Sequence, residues 1–146
     1  MKDSLRPGLA GTYRYTVPPD RTVPHIYPDA PDFQLMPAVL ATGYLVALCE
    51  WAAIELIKPH LDWPEEQSLG TKVNLNHLAA TPPGLTIEIA VSLTAVEGRR
   101  LSFALRASDG VDLISEGTHE RHVIVASRFN TKLAAKVSGS RTRGGI

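Results

Sequence analysis

The sequence predicts an α+β domain in which a curved five-stranded antiparallel sheet wraps around one long central helix. Three observations lead to that class. Residues 38–59 form the single long apolar-rich stretch with few helix breakers. Four segments that alternate apolar and polar residues follow it, separated by turn signals such as Pro82-Pro83-Gly84, Glu97-Gly98 and Asp109-Gly110. One more alternating segment, GTYRYTV, precedes it. Each strand has one apolar face and a single helix is available, so the helix must pack on the sheet.

The elements follow in order. Tyr13, Tyr15 and Val17 share one side of the first strand, which Pro18-Pro19 ends. Residues 24–37, PHIYPDAPDFQLMP, hold four prolines and can form only short turns. Ile26, Tyr27, Phe33, Leu35 and Met36 lie on this irregular segment, which predicts a lid over a pocket. The helix is expected from Ala38 to about Pro59, with Pro37 at its start. Its predicted apolar stripe is Val39, Gly43, Val46, Ala47, Ala53, Ile54 and Ile57, with Glu50 on the stripe and Glu55 off its centre.

After DWPEEQS comes a strand at about 69–80, with Val73, Leu75, His77 and Ala79 predicted inward. The next, GLTIEIAVSLTAV, places Leu85, Ile87, Ile89, Val91, Leu93 and Ala95 inward; RRLSFALRAS does the same with Leu101, Phe103 and Leu105. The last strand is expected at about 111–125, and ASRFNTKLAAKV at 126–137 as a short helix. The division expected is one domain at 1–137 and a disordered basic tail at 138–146. This is the hotdog arrangement. One helix cannot cover five strands completely, so a homodimer is expected.

Composition excludes several functions. The chain has 146 residues, and 15 lysines plus arginines balance 15 aspartates plus glutamates. Zero net charge speaks against a nucleic-acid or membrane-surface binder. Cys49 is the one cysteine, so no intrachain disulfide forms. MKDSLRPGLAG lacks the apolar run of a secretory signal, and Glu50 and Glu55 interrupt the longest apolar stretch. A cytoplasmic protein is the expectation.

Three polar groups stand out. Glu50 lies on the helix stripe, where an unpaired carboxylate is costly. His77 lies on the sheet face expected to meet that helix, and Thr42 is eight residues before Glu50. Eight residues rise ~12 Å, so Thr42 and Glu50 of one chain cannot touch; a second chain or a bridging substrate would have to unite them. A carboxylate near an imidazole suits general-base or nucleophilic chemistry. A buried ion pair that only secures the fold remains the alternative. Cys49 reads as apolar filler beside Glu50. His119 and His122 fall on opposite strand faces and cannot share a metal ion, so no metal is expected. Arg99 and Arg100 read as surface charges, Gly117 as strand geometry, and Trp51 and Trp63 as packing residues.

The segments ATGYLVALCEWA, SLGT, HLAATPPGLT, VEGRRLS and GTHERHVI, in that order, resemble the fluoroacetyl-CoA thioesterase family of hotdog proteins. The resemblance implies a thioester hydrolase acting on a small acyl-CoA, with Thr42, Glu50 and His77 as catalytic residues. It further implies that Gly70 binds the thioester carbonyl and that Arg121 lies near the acyl and coenzyme path. Phe33 and Met36 take the lid positions that are aromatic in the fluoroacetate-specific members. Methionine there implies a looser gate. No cofactor is implied, since coenzyme A belongs to the substrate. The partners implied are an acyl-CoA and a second copy of the chain, with the active site at their interface. The other classes left open are a hotdog enoyl-CoA hydratase and a non-catalytic acyl-CoA binding module.

Overall fold

The computed structural model describes residues 1–143. Its five strands are β1 (Ala10–Thr16), β2 (Glu66–Leu75), β3 (Thr86–Glu97), β4 (Arg100–Ser108) and β5 (Leu113–Val125). The helices are a one-turn α1 (Pro31–Gln34), the central α2 (Thr42–Ile57) and a C-terminal α3 (Ala126–Arg143). The strands form one antiparallel sheet in the order β1-β3-β4-β5-β2. β1 and β2 are its edges. No described helix is long and apolar enough to cross a membrane.

The alternation read from β3 and β4 builds the core wall. Ile87, Ile89, Val91 and Leu93 are buried beside Leu101, Phe103, Leu105 and Ala107. Leu45, Leu48, Cys49, Ala52, Ala53 and Ile57 of α2 pack against them. Burying one such large apolar side chain contributes about 1.5–3 kcal/mol, so this single layer dominates the stability of the fold. Trp51 lies outside that layer, tilted against Tyr13 at 5.2 Å and Tyr15 at 6.3 Å between ring centroids, a packing role as expected.

Four expectations need correction. The helix begins at Thr42, not Ala38. The amides before it are taken outside the helix: Leu40 N–H donates to Thr81 O at 2.8 Å and Ala41 N–H to Arg21 O at 3.4 Å, while Val39 N–H closes a local turn to Pro37 O at 2.9 Å. Ala41 is extended and caps the helix. At the other end Lys58–His60 continue as a 3-10 turn. The buried stripe is also rotated from the predicted one. Only Ala53 and Ile57 of the predicted set are buried, whereas Gly43 and Ala47 are exposed. Apolar residues lie on all sides of this helix, so spacing alone did not single out the face. Glu50 consequently sits at the margin of the core with its side chain 35% exposed.

The third correction concerns β2. Its ladder with β5 ends at Leu75, although Asn76 N–H still donates to Glu116 O (3.3 Å) and Leu78 N–H to Ile114 O (2.8 Å). As an edge strand it leaves Val73 exposed and Leu75, His77 and Ala79 only half-buried. The C-terminal helix runs six residues past Val137, so part of the segment expected as a tail is helical, and residues 144–146 lie outside the described residues.

Candidate active site

Two polar clusters form beside α2, about two and a quarter turns apart along its axis. The first joins Thr42, the opening residue of α2, to His77, just past β2. Thr42 Oγ1 lies 2.9 Å from His77 Nδ1. Burial holds the His77 imidazole below its ordinary range, a shift that the nearby Ala79 backbone partly offsets. The ring is therefore neutral at pH 7, with one proton to share between its nitrogens. Its Nε2 is buried and has no partner, the one such buried side-chain nitrogen or oxygen among the described residues. The hydrogen-bond partner of Thr42 is thus His77 and not Glu50 of the same chain.

The second cluster surrounds Glu50. Arg121 Nη1 donates to Glu50 Oε1 at 3.1 Å, and Arg121 itself is 3% exposed. Ser68 fixes the guanidinium, its hydroxyl accepting from Nε at 2.9 Å and its carbonyl from Nη2 at 2.7 Å. His119 lies behind. Its Nδ1 is 2.8 Å from Lys72 O, so Nδ1 must carry the proton. Nε2 is then the acceptor that meets Arg121 Nη1 at 3.0 Å. Burial first, and then the neighbouring Arg121 charge, hold His119 below the ordinary imidazole range. It is a neutral spacer between a backbone carbonyl and a guanidinium.

Backbone geometry opens the space above Glu50. The β2–β5 register steps from Gly70↔Arg121 to Lys72↔Glu120, leaving Thr71 as an extra residue. A Cβ placed on Gly70 would collide with Glu50 Oε1 and stand 3.2 Å from His119 Cε1. Glycine is required there for a close approach to a carboxylate. Gly117 has a packing reason of its own: a Cβ there would run into Asn74 O on β2.

The other singled-out residues fall as follows. Phe33, half-buried on α1, stacks on Tyr27 at 6.1 Å between centroids. Met36 is 47% and Leu35 87% exposed, so in the single chain these lid residues face outward. Ile26 Cδ1 sits 2.8 Å from where a Gly43 Cβ would lie, which seats the lid on the first turn of α2. Burial pushes the Cys49 thiol up to about 12, with the Glu50 charge adding to it, so it is no nucleophile at neutral pH. His119 is buried and His122 exposed, on opposite faces as read from the sequence.

Ser68 belongs to the cluster and was not singled out from the sequence, and His119 was weighed there only as a metal ligand. Alternation did place His119 and Arg121 on one face of β5. What it could not place was Lys72 O and Ser68, which come from a different strand through a bulged register.

The model of the fluoroacetyl-CoA-specific thioesterase family matches residues 21–127. The chain belongs to this family. It is 50% identical over 136 residues to the fluoroacetyl-CoA thioesterase of Streptantibioticus cattleyicolor, covering 93% of this chain and 97% of that one. A solved threonine-to-serine variant of fluoroacetyl-CoA thioesterase, in complex with acetyl-CoA, is 48% identical, covers 90% of this chain and 98% of its own, and superposes with a TM-score of 0.87. A Thermus thermophilus thioesterase-superfamily structure at 23% identity, covering 93% of this chain and 96% of its own with a TM-score of 0.79, shares the hotdog fold. The chain is accordingly a thioester hydrolase of the fluoroacetyl-CoA thioesterase family.

Proposed function

We propose that this thioesterase hydrolyses a small acyl-CoA at a site shared between two copies of the chain, using Glu50, His77 and Thr42. The observation that carries the reading is the separation of the two clusters. A thioester carbonyl must lie ~3–3.5 Å from its attacking group, and the departing sulfur is one bond away. Two clusters so far apart on one helix do not meet that demand within one chain.

A second copy supplies the missing half. β2 is an unpaired edge, and Leu69, Val73 and Leu78 on or just beyond it are 39%, 43% and 56% exposed. In this reading two β2 edges pair antiparallel across a twofold axis. The Thr42–His77 pair of one chain then faces the Glu50 cluster of the other.

In this reading Glu50 acts on the carbonyl carbon, directly or by taking a proton from a water that attacks it. As the carbon–oxygen bond forms, negative charge moves to the carbonyl oxygen, where the Gly70 N–H receives it. The carbon–sulfur bond then breaks. Thr42 Oγ1–H donates a hydrogen bond to His77 Nδ1 and so keeps the ring proton on Nε2; that N–H protonates the coenzyme A thiolate while the proton lost by the attacking water returns to His77, directly or by way of Glu50, so both side chains end in their starting states. If Glu50 itself attacked, water then hydrolyses the anhydride. Arg121 orients Glu50 instead of lining the acyl and coenzyme path, because its nitrogens are occupied by Glu50, Ser68 and His119. Phe33 and Met36 border the acyl entrance. Side chains and water suffice for every step, and the substrate brings the coenzyme.

A panel of acyl-CoA esters (fluoroacetyl, acetyl, longer and aryl) with free-thiol release as the readout tests the reading. Rapid release from the small esters is expected. Tight binding without thiol release would make the protein a binding module instead.

A further inference from the structure

A buried chain of contacts outside both clusters ties together the segments that carry Thr42 and His77. Thr81 is fully buried four residues after His77, and Asp109 is 6% exposed at the turn between β4 and β5. Thr81 Oγ1 donates to Asp109 Oδ2 at 2.9 Å. Asp109 Oδ1 accepts from Val111 N–H at 3.0 Å and Asp112 N–H at 2.9 Å, so both carboxylate oxygens are committed. On its other side Thr81 offers its carbonyl to Leu40 N–H at 2.8 Å. Leu40 is buried, bridges to Thr22 and lies two residues before Thr42.

From this geometry we infer that Thr81 and Asp109 are positioning residues for the Thr42–His77 pair. Among the described residues, Thr81 alone bonds both the hairpin turn and the lead-in to α2 while lying on the segment that carries His77. The physical reason is distance control. Thr42 and His77 sit 35 positions apart in sequence and meet through one 2.9 Å bond between side chains that are not fully buried. Such a bond holds only if both backbones are fixed. Asn76 and Leu78 secure the near side of His77 to β5, and Ser115 Oγ adds a 2.8 Å bond to Asn76 O. Thr81 holds the far side and ties it to the start of α2, which Val23 N–H to Val39 O (2.9 Å) and Ala41 N–H to Arg21 O (3.4 Å) also anchor. An ordinary hairpin turn needs no buried partner on another segment, so the Thr81 bond is more than turn chemistry.

The inference rests on the catalytic reading of Thr42 and His77. The test compares Thr81→Val, which keeps shape and loses the hydroxyl, with Thr81→Ser, which keeps the hydroxyl. Thioester turnover per folded molecule is measured from pH 5 to 8. Thr81→Val should lower kcat about tenfold with KM within twofold and move the acid limb of the pH profile; Thr81→Ser should restore both. From the other side, Asp109→Asn can still accept from Val111 and Asp112 and can donate to Thr81, so it should stay within twofold, while Asp109→Ala should behave as Thr81→Val. The Asp109 pair serves if Thr81→Val does not fold. A lowered melting temperature with unchanged kcat and pH profile, or a serine variant as impaired as valine, overturns the inference. If His77→Ala is itself fully active, the catalytic reading has failed; if His77→Ala is inactive and both alanine and valine variants turn over normally, only the positioning role has.

Discussion

Thr42 Oγ1 and His77 Nδ1 are 2.9 Å apart, and the opposite nitrogen of the same ring is buried without a partner. A hydroxyl on one side and an unmet nitrogen on the other define a direction for proton transfer. An unsatisfied buried polar atom costs about 1–3 kcal/mol, which substrate binding can recover.

His77→Ala should therefore lower turnover roughly 10²-fold or more, the usual worth of general acid–base help. Its circular dichroism should match the unsubstituted protein. A variant that loses its fold yet keeps full activity per folded molecule would return His77 to a purely structural role.

Gly70→Ala tests the close approach to Glu50. The added methyl meets a carboxylate oxygen that Arg121 holds in place, so the carboxylate must move. We expect at least a tenfold fall in kcat with little change in melting temperature, since position 70 is exposed. Unchanged kinetics would show that Glu50 is free to swing and that its placement does not matter.

Acidification should act on stability through two histidines. His77 and His119 both have folded-state values below the unfolded imidazole, so the unfolded chain takes up protons first as pH falls. Stability is then complete above about pH 6.5 and declines below it. Asp109, a buried carboxyl whose hydrogen bonds outweigh desolvation, is held below its ordinary range and titrates lower still. Melting temperatures between pH 5 and 7 should fall with pH, and His119→Gln should flatten the slope. A slope that His119→Gln leaves unchanged would contradict the neutral-spacer role.

The fold was legible because β3 and β4 alternate strictly and their turns are marked by Glu97-Gly98 and Asp109-Gly110. The face of α2 was not, since Val46, Ala47 and Ile54 are as apolar as the residues that are buried. Glu50, His77 and Thr42 stand out by their positions on the helix and strand, and the resemblance adds the catalytic roles; alternation places His77 on a buried strand face, whereas it stands half-buried beyond the end of β2. The network of Ser68, Lys72, His119 and Arg121 depends on the bulge at Thr71, and a bulge shifts which residues face each other without leaving a pattern in hydrophobicity.

The proposed place of Phe33 and Met36 at the acyl entrance bears on selectivity. Met36 is nearly half exposed and flexible, while Phe33 is held by Tyr27. A flexible thioether gives less steric and polar contrast between transition states than a fixed ring. We expect little preference for fluoroacetyl-CoA over acetyl-CoA in kcat/KM, and a rise in that ratio in Met36→Phe. A strong fluoroacetyl preference in the unsubstituted protein would place the gate elsewhere.

The shared site is tested most directly by mixing two inactive variants. Glu50→Gln and His77→Ala are purified separately, combined, and allowed to exchange subunits. In a mixed dimer one site carries both substitutions and the other carries neither. Random exchange makes half of the dimers mixed, so about a quarter of the unsubstituted activity should return. If mixing restores nothing while exchange is demonstrated by labelled subunits, Glu50 and His77 of the same chain serve one site and the account is wrong.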